Sequence, residues 1–494
     1  MNSGRSIAGG FLWTGGTSYV SQAVTIVTTL LLAKYVPVAD LGIFSLAGLV
    51  VGWLALVRGL GLGTALIYEQ QDVQKASATT FWLLLATGVL LTALSFLAAP
   101  LAARLFHNPS IEPVVQVLGL SFIFYGLMAT QDTLLQKGGR FRTRALAGLA
   151  GTVVYAVLAV VLAIQGFGVW SLVYAQIAQT VSIAAAMWAV SPFRPSFQFD
   201  RAVARRLLRF GNFALLNDVL IFVILTLDRA VLGRVTSALT VGYYDFAYRL
   251  ANYPPNAVTA QLYPVILPVY SRLQSQPAEL KRVYLATIKH ITYLTAFLAF
   301  AIVLLGPPFL RLLYGDKWVP AIPPLQVLAV YGLTTSIAGP TGSVFYGLGK
   351  PNLQVIIHVL KLAATFPALY FIAVSYGVMG ATLYVTGVNL LFAIVSVIWT
   401  NRLLGIHAGE YLQSIAGPMT LGAAIASIGL LASFSLPLLS ESIPGFALLA
   451  VGFAAAYVGL LLLLDTTLRS RAAALAAHPR QTIAGLLAEG ERKG

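Results

Sequence analysis

Three cations fall inside strongly apolar runs of this 494-residue chain. At membrane depth an ionisable group is costly unless it meets a wet cavity or a partner. Arg58 lies in V-R-G-L-G-L-G-T-A-L, Arg249 in F-A-Y-R-L-A-N and Lys361 in I-H-V-L-K-L-A-A-T. Asp218 and Asp228 share another run, and Asp132 closes an earlier one. The deep cations outnumber any obvious catalytic carboxylate pair. A cleft lined by cations suits an anion. Carrying a bare phosphate through hydrocarbon costs on the order of tens of kcal/mol. A hydrated, arginine-lined cavity replaces part of that solvation, because guanidinium matches phosphate oxygens. Simpler readings stand beside this one. Arg249 can pair with Asp245 four residues earlier, and Arg58 can snorkel to the interface. His358, one turn before Lys361, is either a titrating neighbour or packing. Asp228 can serve only to neutralise Arg229 at the outer surface.

Other chemistry has little support. The chain has no cysteine, so it carries no disulfide framework and no thiolate metal site. The five histidines lack ligand spacing, so no metal is expected. There is no phosphate-cradling P-loop, so no ATP is consumed and no cofactor is expected. G-L-G-L-G at Gly59–Gly63 follows no strand and is no dinucleotide loop. G-L-V-V-G at Gly48–Gly52 reads as close helix packing.

The elements that hold these residues follow from composition. Hydrophobic residues make up 58% of the chain and charged ones 10%, against about a quarter charged in a soluble domain. Apolar runs of about 20 residues recur, each enough to cross the bilayer as a helix. The fold class is therefore all-α, a polytopic membrane protein with about fourteen transmembrane helices. The net charge of +15 is explained by topology, with no need of nucleic acid. With the N-terminus inside, 22 of the 31 Lys and Arg fall in inner loops and tails and six outside. Both termini are then cytoplasmic. The first apolar run lacks a cleavage site and reads as a retained span.

The chain divides into an N-terminal lobe of six spans (1–190), an amphipathic cytoplasmic linker (191–209) and a C-terminal lobe of six spans (210–402). Two more spans (403–468) and a cytoplasmic tail (469–494) follow. In the linker, Arg201, Arg205 and Arg209 recur at helical spacing, which suits a helix on the inner leaflet or a solvated connector.

The two lobes are repeats. With 31–47 laid over 231–247, Leu32 meets Leu232, Lys34 meets Arg234, Gly42 meets Gly242 and Ala47 meets Ala247. Further on, Arg104 falls on Arg311, V-Q-V-L from Val115 on L-Q-V-L from Leu325, and G-G-R from Gly138 on L-G-K from Leu348. Six spans return the chain to the same side, so the halves are parallel and related by a pseudo-twofold along the membrane normal. Such bundles can rock about a cleft, which is alternating access. Tyr253-Pro254-Pro255-Asn256 predicts a bend in the eighth span, and such a bend beside the cleft can gate it. Arg58 and Arg249, in repeat-related spans, are expected to face each other there.

An ordered set of strings makes the assignment narrower. G-L-G-L-G-T-A-L-I, G-F-G-V-W-S-L-V, L-D-R-A-V-L-G-R and V-G-Y-Y-D-F-A-Y-R-L-A-N-Y-P are joined by L-P-V-Y-S-R-L-Q, Y-G-D-K-W-V-P-A and G-L-G-K-P-N. Together, from about residue 5 to 400, they resemble the Wzx-type polysaccharide transporter family. That family lies in the multidrug/oligosaccharidyl-lipid/polysaccharide exporter superfamily. The resemblance implies two six-helix lobes around a central cavity in the bacterial inner membrane. It implies flipping of undecaprenyl-pyrophosphate-linked oligosaccharide repeat units from the inner to the outer leaflet, without enzymatic chemistry. It points to Arg58 and Arg249 for the pyrophosphate, with Lys361 in the cavity. Tyr19 and Gln22 stand in the first span where relatives carry an arginine. Asp218, Thr386 and Asn389 fall where some relatives hold sodium, and Lys361 takes the ion's place, which makes sodium coupling unnecessary. Implied partners are the lipid-linked oligosaccharide, the bilayer, and the glycosyltransferases and polymerase of the same pathway. The protein itself is expected to be a monomer.

Two other readings compete. A drug or cation antiporter of the same superfamily would favour an acidic cavity, and this one reads basic. An integral glycan polymerase or ligase would need a long external loop, and none here exceeds about 15 residues.

Overall fold

Long apolar runs without internal partners become helices, because only a helix satisfies its own backbone. The computed structural model describes residues 3–59, 61–69, 72–464 and 469, with side chains beyond residue 15 except at 208–218, 260, 264 and 464. No strand occurs among them. Among the described residues eleven helices are long and apolar enough to cross a membrane, the longest of them being two helices joined at a kink.

The chain forms two compact units, Met1–Leu250 with Gly349–Phe392, and Ala251–Leu348 with Ala393–Gly494. The first unit holds α1 (Ser3–Tyr35), α2 (Val38–Ala55), the short α3 (Leu62–Tyr68), α4 (Val73–Leu105) and α5 (Ile111–Gly119). It continues with α6 (Ser121–Lys137), α7 (Phe141–Ile164), α8 (Val169–Val190), α9 (Arg201–Val235) and most of α10 (Ala238–Ala251).

The linker does not form a separate surface helix. After an extended stretch, Asp200 caps α9 by accepting from the backbone N–H of Ala202 (2.8 Å) and Val203 (3.1 Å). The Val203 and Ala202 N–H groups hold its carboxyl below the usual carboxylate range. From there α9 runs unbroken to Val235, since neither Gly211 nor any proline interrupts it. Val203, Ala204 and Leu207 are buried, and Val203 and Leu207 pack with Leu62 and Leu66 of α3. Arg206 pairs with Glu69 at 2.6 Å. The extended stretch is pinned by Trp82, which donates to the Ser196 carbonyl (2.9 Å) and stacks on Phe197. Arg209 and Asp218 have side chains outside those described, as do all residues of the tail except Arg469.

The repeat is visible in the backbone. Helices α1 and α9 end at residues 35 and 235, and α2 and α10 begin at 38 and 238. The starts of α2 and α10 cross in direct backbone contact. A Cβ on Gly42 would lie 1.7 Å from the Ala238 carbonyl oxygen, and one on Gly242 2.1 Å from that of Val38. Val38 and Ala238 are themselves repeat counterparts, so the contact is reciprocal. Gly52 likewise packs on the Phe222 ring, whereas Gly48 faces open space, so only one glycine of G-L-V-V-G makes a close approach.

The second unit holds α11 (Ala260–Arg272), α12 (Pro277–Tyr314) and α13 (Ile322–Gly347). Before α11 the prolines break the chain as expected, leaving one wide turn at Pro255–Thr259. The next helix, α14 (Pro351–Leu404), is two helices joined at Gly377, where φ is 62° and ψ −155°. Its repeat counterpart Gly168 has φ 55° and ψ −129°. Lys361 donates to the Asn389 side chain at 2.7 Å across 28 residues. A straight helix would separate them by about 42 Å, so α14 folds back on itself. Last come α15 (Ala408–Ser435), α16 (Leu438–Glu441) and α17 (Ile443–Leu464). Tyr457 ties α17 to α12 by donating to the Tyr293 carbonyl (2.7 Å).

Candidate functional site

The charges cluster in the first unit, on α9 and α10. On α10, Val241, Tyr244, Asp245, Tyr248 and Arg249 share one face by their three- and four-residue spacing. Near the end of α9, Asp228 and Arg229 point about 100° apart and meet different partners on that face. Asp228 is 3% exposed and accepts from the Tyr244 hydroxyl at 2.5 Å and the Arg229 N–H at 2.7 Å. Arg229 reaches Asp245 (Nη1–Oδ1, 3.1 Å) and lies over the Tyr248 ring at 4.7 Å. Asp245, 4% exposed, also pairs with the Nε of Arg249 at 2.7 Å.

The result is an alternating chain Asp228–Arg229–Asp245–Arg249, neutral over its length. Fully buried at one end, it surfaces at Arg249, whose side chain is 50% exposed. Asp228 is a buried acceptor that also pairs with the Nε of Arg229 at 3.7 Å. Arg249 makes the i, i+4 pair, and its exposed guanidinium edge is what remains for a ligand. Beside it a small cavity of about 50 Å³ is lined by Thr29, Tyr155, Asp245 and Arg249 among apolar groups. That volume suits a water or two.

Lys361 extends the cluster on α14, within electrostatic reach of Asp228. It donates to Asn389, which is buried together with Thr386. The Thr386 hydroxyl has no partner. His358 shares a 2.8 Å hydrogen bond with Gln354 through Nε2, while its buried Nδ1 has none.

The remaining residues stand apart. Arg58 lies in the turn after α2, exposed, over the Tyr125 ring at 4.2 Å. Tyr19 is 55% exposed. Gln22 lines a polar pocket of about 530 Å³ with Asp132 and Arg144, and its Oε1 is buried without a partner. Among the described residues no group of three or more His, Cys, Asp or Glu is placed to hold a metal ion.

A model of the family described as "Polysaccharide biosynthesis protein" matches residues 31–323, more than half of the chain. The chain belongs to this family. Two curated relatives of this polysaccharide biosynthesis protein align over most of their lengths. It is 23% identical over 427 residues to "Lipopolysaccharide biosynthesis protein WzxC" of Escherichia coli (strain K12), covering 83% of this chain and 84% of that one. It is 25% identical over 366 residues to "Succinoglycan biosynthesis transport protein ExoT" of Rhizobium meliloti (strain 1021), covering 74% of each. The fold is that of "Lipid II flippase MurJ, inward closed conformation", with TM-score 0.72 and 14% identity over 91% of this chain and all of that one. With its apolar helices, this family member is a multi-pass membrane protein.

Sequence reasoning missed Tyr244, Tyr155 and the central place of Arg229. Tyr244 carried a signal, since it aligns with Phe44 and so adds a hydroxyl at a position that needs only an aromatic ring. Arg229 carried none, because its partner lies on the next helix, 16 residues away.

Proposed function

We propose that this protein flips undecaprenyl-pyrophosphate-linked oligosaccharide repeat units from the inner to the outer leaflet of the bacterial inner membrane, by alternating access between its pseudo-symmetric lobes. The observation that carries this reading is the match to a polysaccharide biosynthesis family on a chain with the fold of a lipid II flippase. The half-exposed Arg249 supplies the guanidinium for the pyrophosphate, and Asp245 and Arg229 hold it in place. Arg58 meets the headgroup at another stage of the passage. Lys361 occupies the position of a coupling cation: its ammonium already satisfies Asn389, so sodium is not required. Both termini lie in the cytoplasm. The protein acts as a monomer and receives its substrate from glycosyltransferases, passing it to a polymerase.

A cation antiporter needs acids free to exchange their ligand. Here Asp228 and Asp245 are occupied by Tyr244, Arg229 and Arg249, which disfavours it. The experiment is complementation of polymer export in a deletion strain. Arg58→Ala and Arg249→Ala should each abolish export with the protein still in the membrane, and Arg249→Lys should retain part of it. Normal export by both alanine variants would remove the site assignment.

A further inference from the structure

The polar pocket between α1, α6, α7 and α8 is used by nothing above, and its chemistry differs from that of the arginine cluster. On α1, Ser18, Ser21, Gln22, Thr25 and Thr29 follow one helical stripe. On α7, Arg144, Gly148, Thr152 and Tyr155 follow another. The lower members of both stripes line the 530 Å³ pocket. The upper members, Thr29 and Tyr155, line the small cavity beside Arg249. A hydroxyl-bearing track thus leads from the pocket to the arginine.

Three of the hydroxyl protons along it are already committed. Thr25 donates to the Ser21 carbonyl (2.8 Å), Thr29 to that of Thr25 (2.8 Å) and Thr152 to that of Gly148 (3.1 Å). Their oxygens are left as acceptors. Gln22 adds a buried acceptor, Oε1, with no donor facing it. Arg144 does not make the pocket anionophilic, because Asp132 holds it through both Nε (2.6 Å) and Nη2 (3.1 Å). Met128, Phe141, Leu149 and Ile183 supply apolar walls. A neutral ligand rich in O–H donors, with C–H faces between them, fits such a lining. The volume lies within the ordinary range for small-ligand sites.

We propose that this pocket is a saccharide subsite, taking the sugar end of the lipid-linked substrate while its pyrophosphate lies at Arg249. The proposal rests on the flippase reading and adds the element that selects the sugar. Gln22 and Thr152 are its specificity-determining residues.

The test uses the full chain in lipid nanodiscs and two probes. One is bare undecaprenyl pyrophosphate. The other is the lipid-linked oligosaccharide extracted from cells making this protein's polymer. Gln22→Leu and the isosteric Thr152→Val should each lower the preference for the sugar-bearing lipid roughly tenfold, as loss of one buried hydrogen bond requires. An unchanged preference in both variants overturns the proposal. So does an equal loss for both probes, which would mark the residues as support for the fold or the pyrophosphate site. If Gln22→Leu does not fold, Thr152→Val decides alone. Wild-type protein that binds neither probe overturns the flippase reading itself, an outcome separate from the other two.

Discussion

Arg229 holds two buried carboxylates at once, and its removal leaves both short of a cation. Breaking a buried pair from one side costs about 3–5 kcal/mol. Arg229→Ala should therefore lower the melting temperature in detergent far more than Arg249→Ala, whose side chain is half exposed and pairs with one carboxylate only. Similar melting of the two variants would mean that the chain of pairs does not stabilise the fold. Tyr244→Phe keeps the ring but leaves Asp228 one donor short, at a cost of about 1–3 kcal/mol. Part of this was legible in the sequence. The Asp245–Arg249 pair follows from spacing on one helix. The Asp228–Tyr244 and Arg229–Asp245 contacts depend on how two helices close around the Thr236–Ser237 turn, which no local pattern states. Hence a stretch that reads as cationic turns out locally neutral, with its positive character left to the edge of Arg249 and to Lys361.

At the scale of elements, the repeat was the strongest sequence signal, and its glycines mark where it matters. Gly42→Ala and Gly242→Ala would drive a methyl into the facing helix backbone. Overpacking of this kind costs at least about 1–3 kcal/mol, so each should sharply reduce folded protein in the membrane. Gly48→Ala, which meets open space, should be tolerated. Equal yields from all three would contradict the tight α2–α10 crossing. The charges before residue 210 lie on the first turns of α9 itself, which starts at Arg201, and its early apolar residues are buried beneath α3. The fold-back of α14 rests on Gly377, whose left-handed φ only glycine adopts cheaply. It is this fold-back that brings Lys361 to Asn389. The chain was read correctly there as two spans, but a hydrogen bond across 28 residues needed the structure.

For the whole molecule, the substrate's charge sets the energetics. Two negative charges leaving a cell with an inside-negative potential gain about 4–5 kcal/mol per 100 mV. Transport in sealed vesicles should therefore quicken as an inside-negative potassium diffusion potential is imposed, and it should proceed without sodium. A strict sodium requirement would remove the role given to Lys361. The most direct measurement is leaflet transfer in proteoliposomes holding the full chain, with undecaprenyl-pyrophosphate-linked oligosaccharide loaded on one side and scored on the other. Protein-dependent appearance of the sugar on the far leaflet is expected, abolished by Arg249→Ala and partly restored by Arg249→Lys. Transfer by Arg249→Ala at the wild-type rate, or none by the wild type, would contradict it.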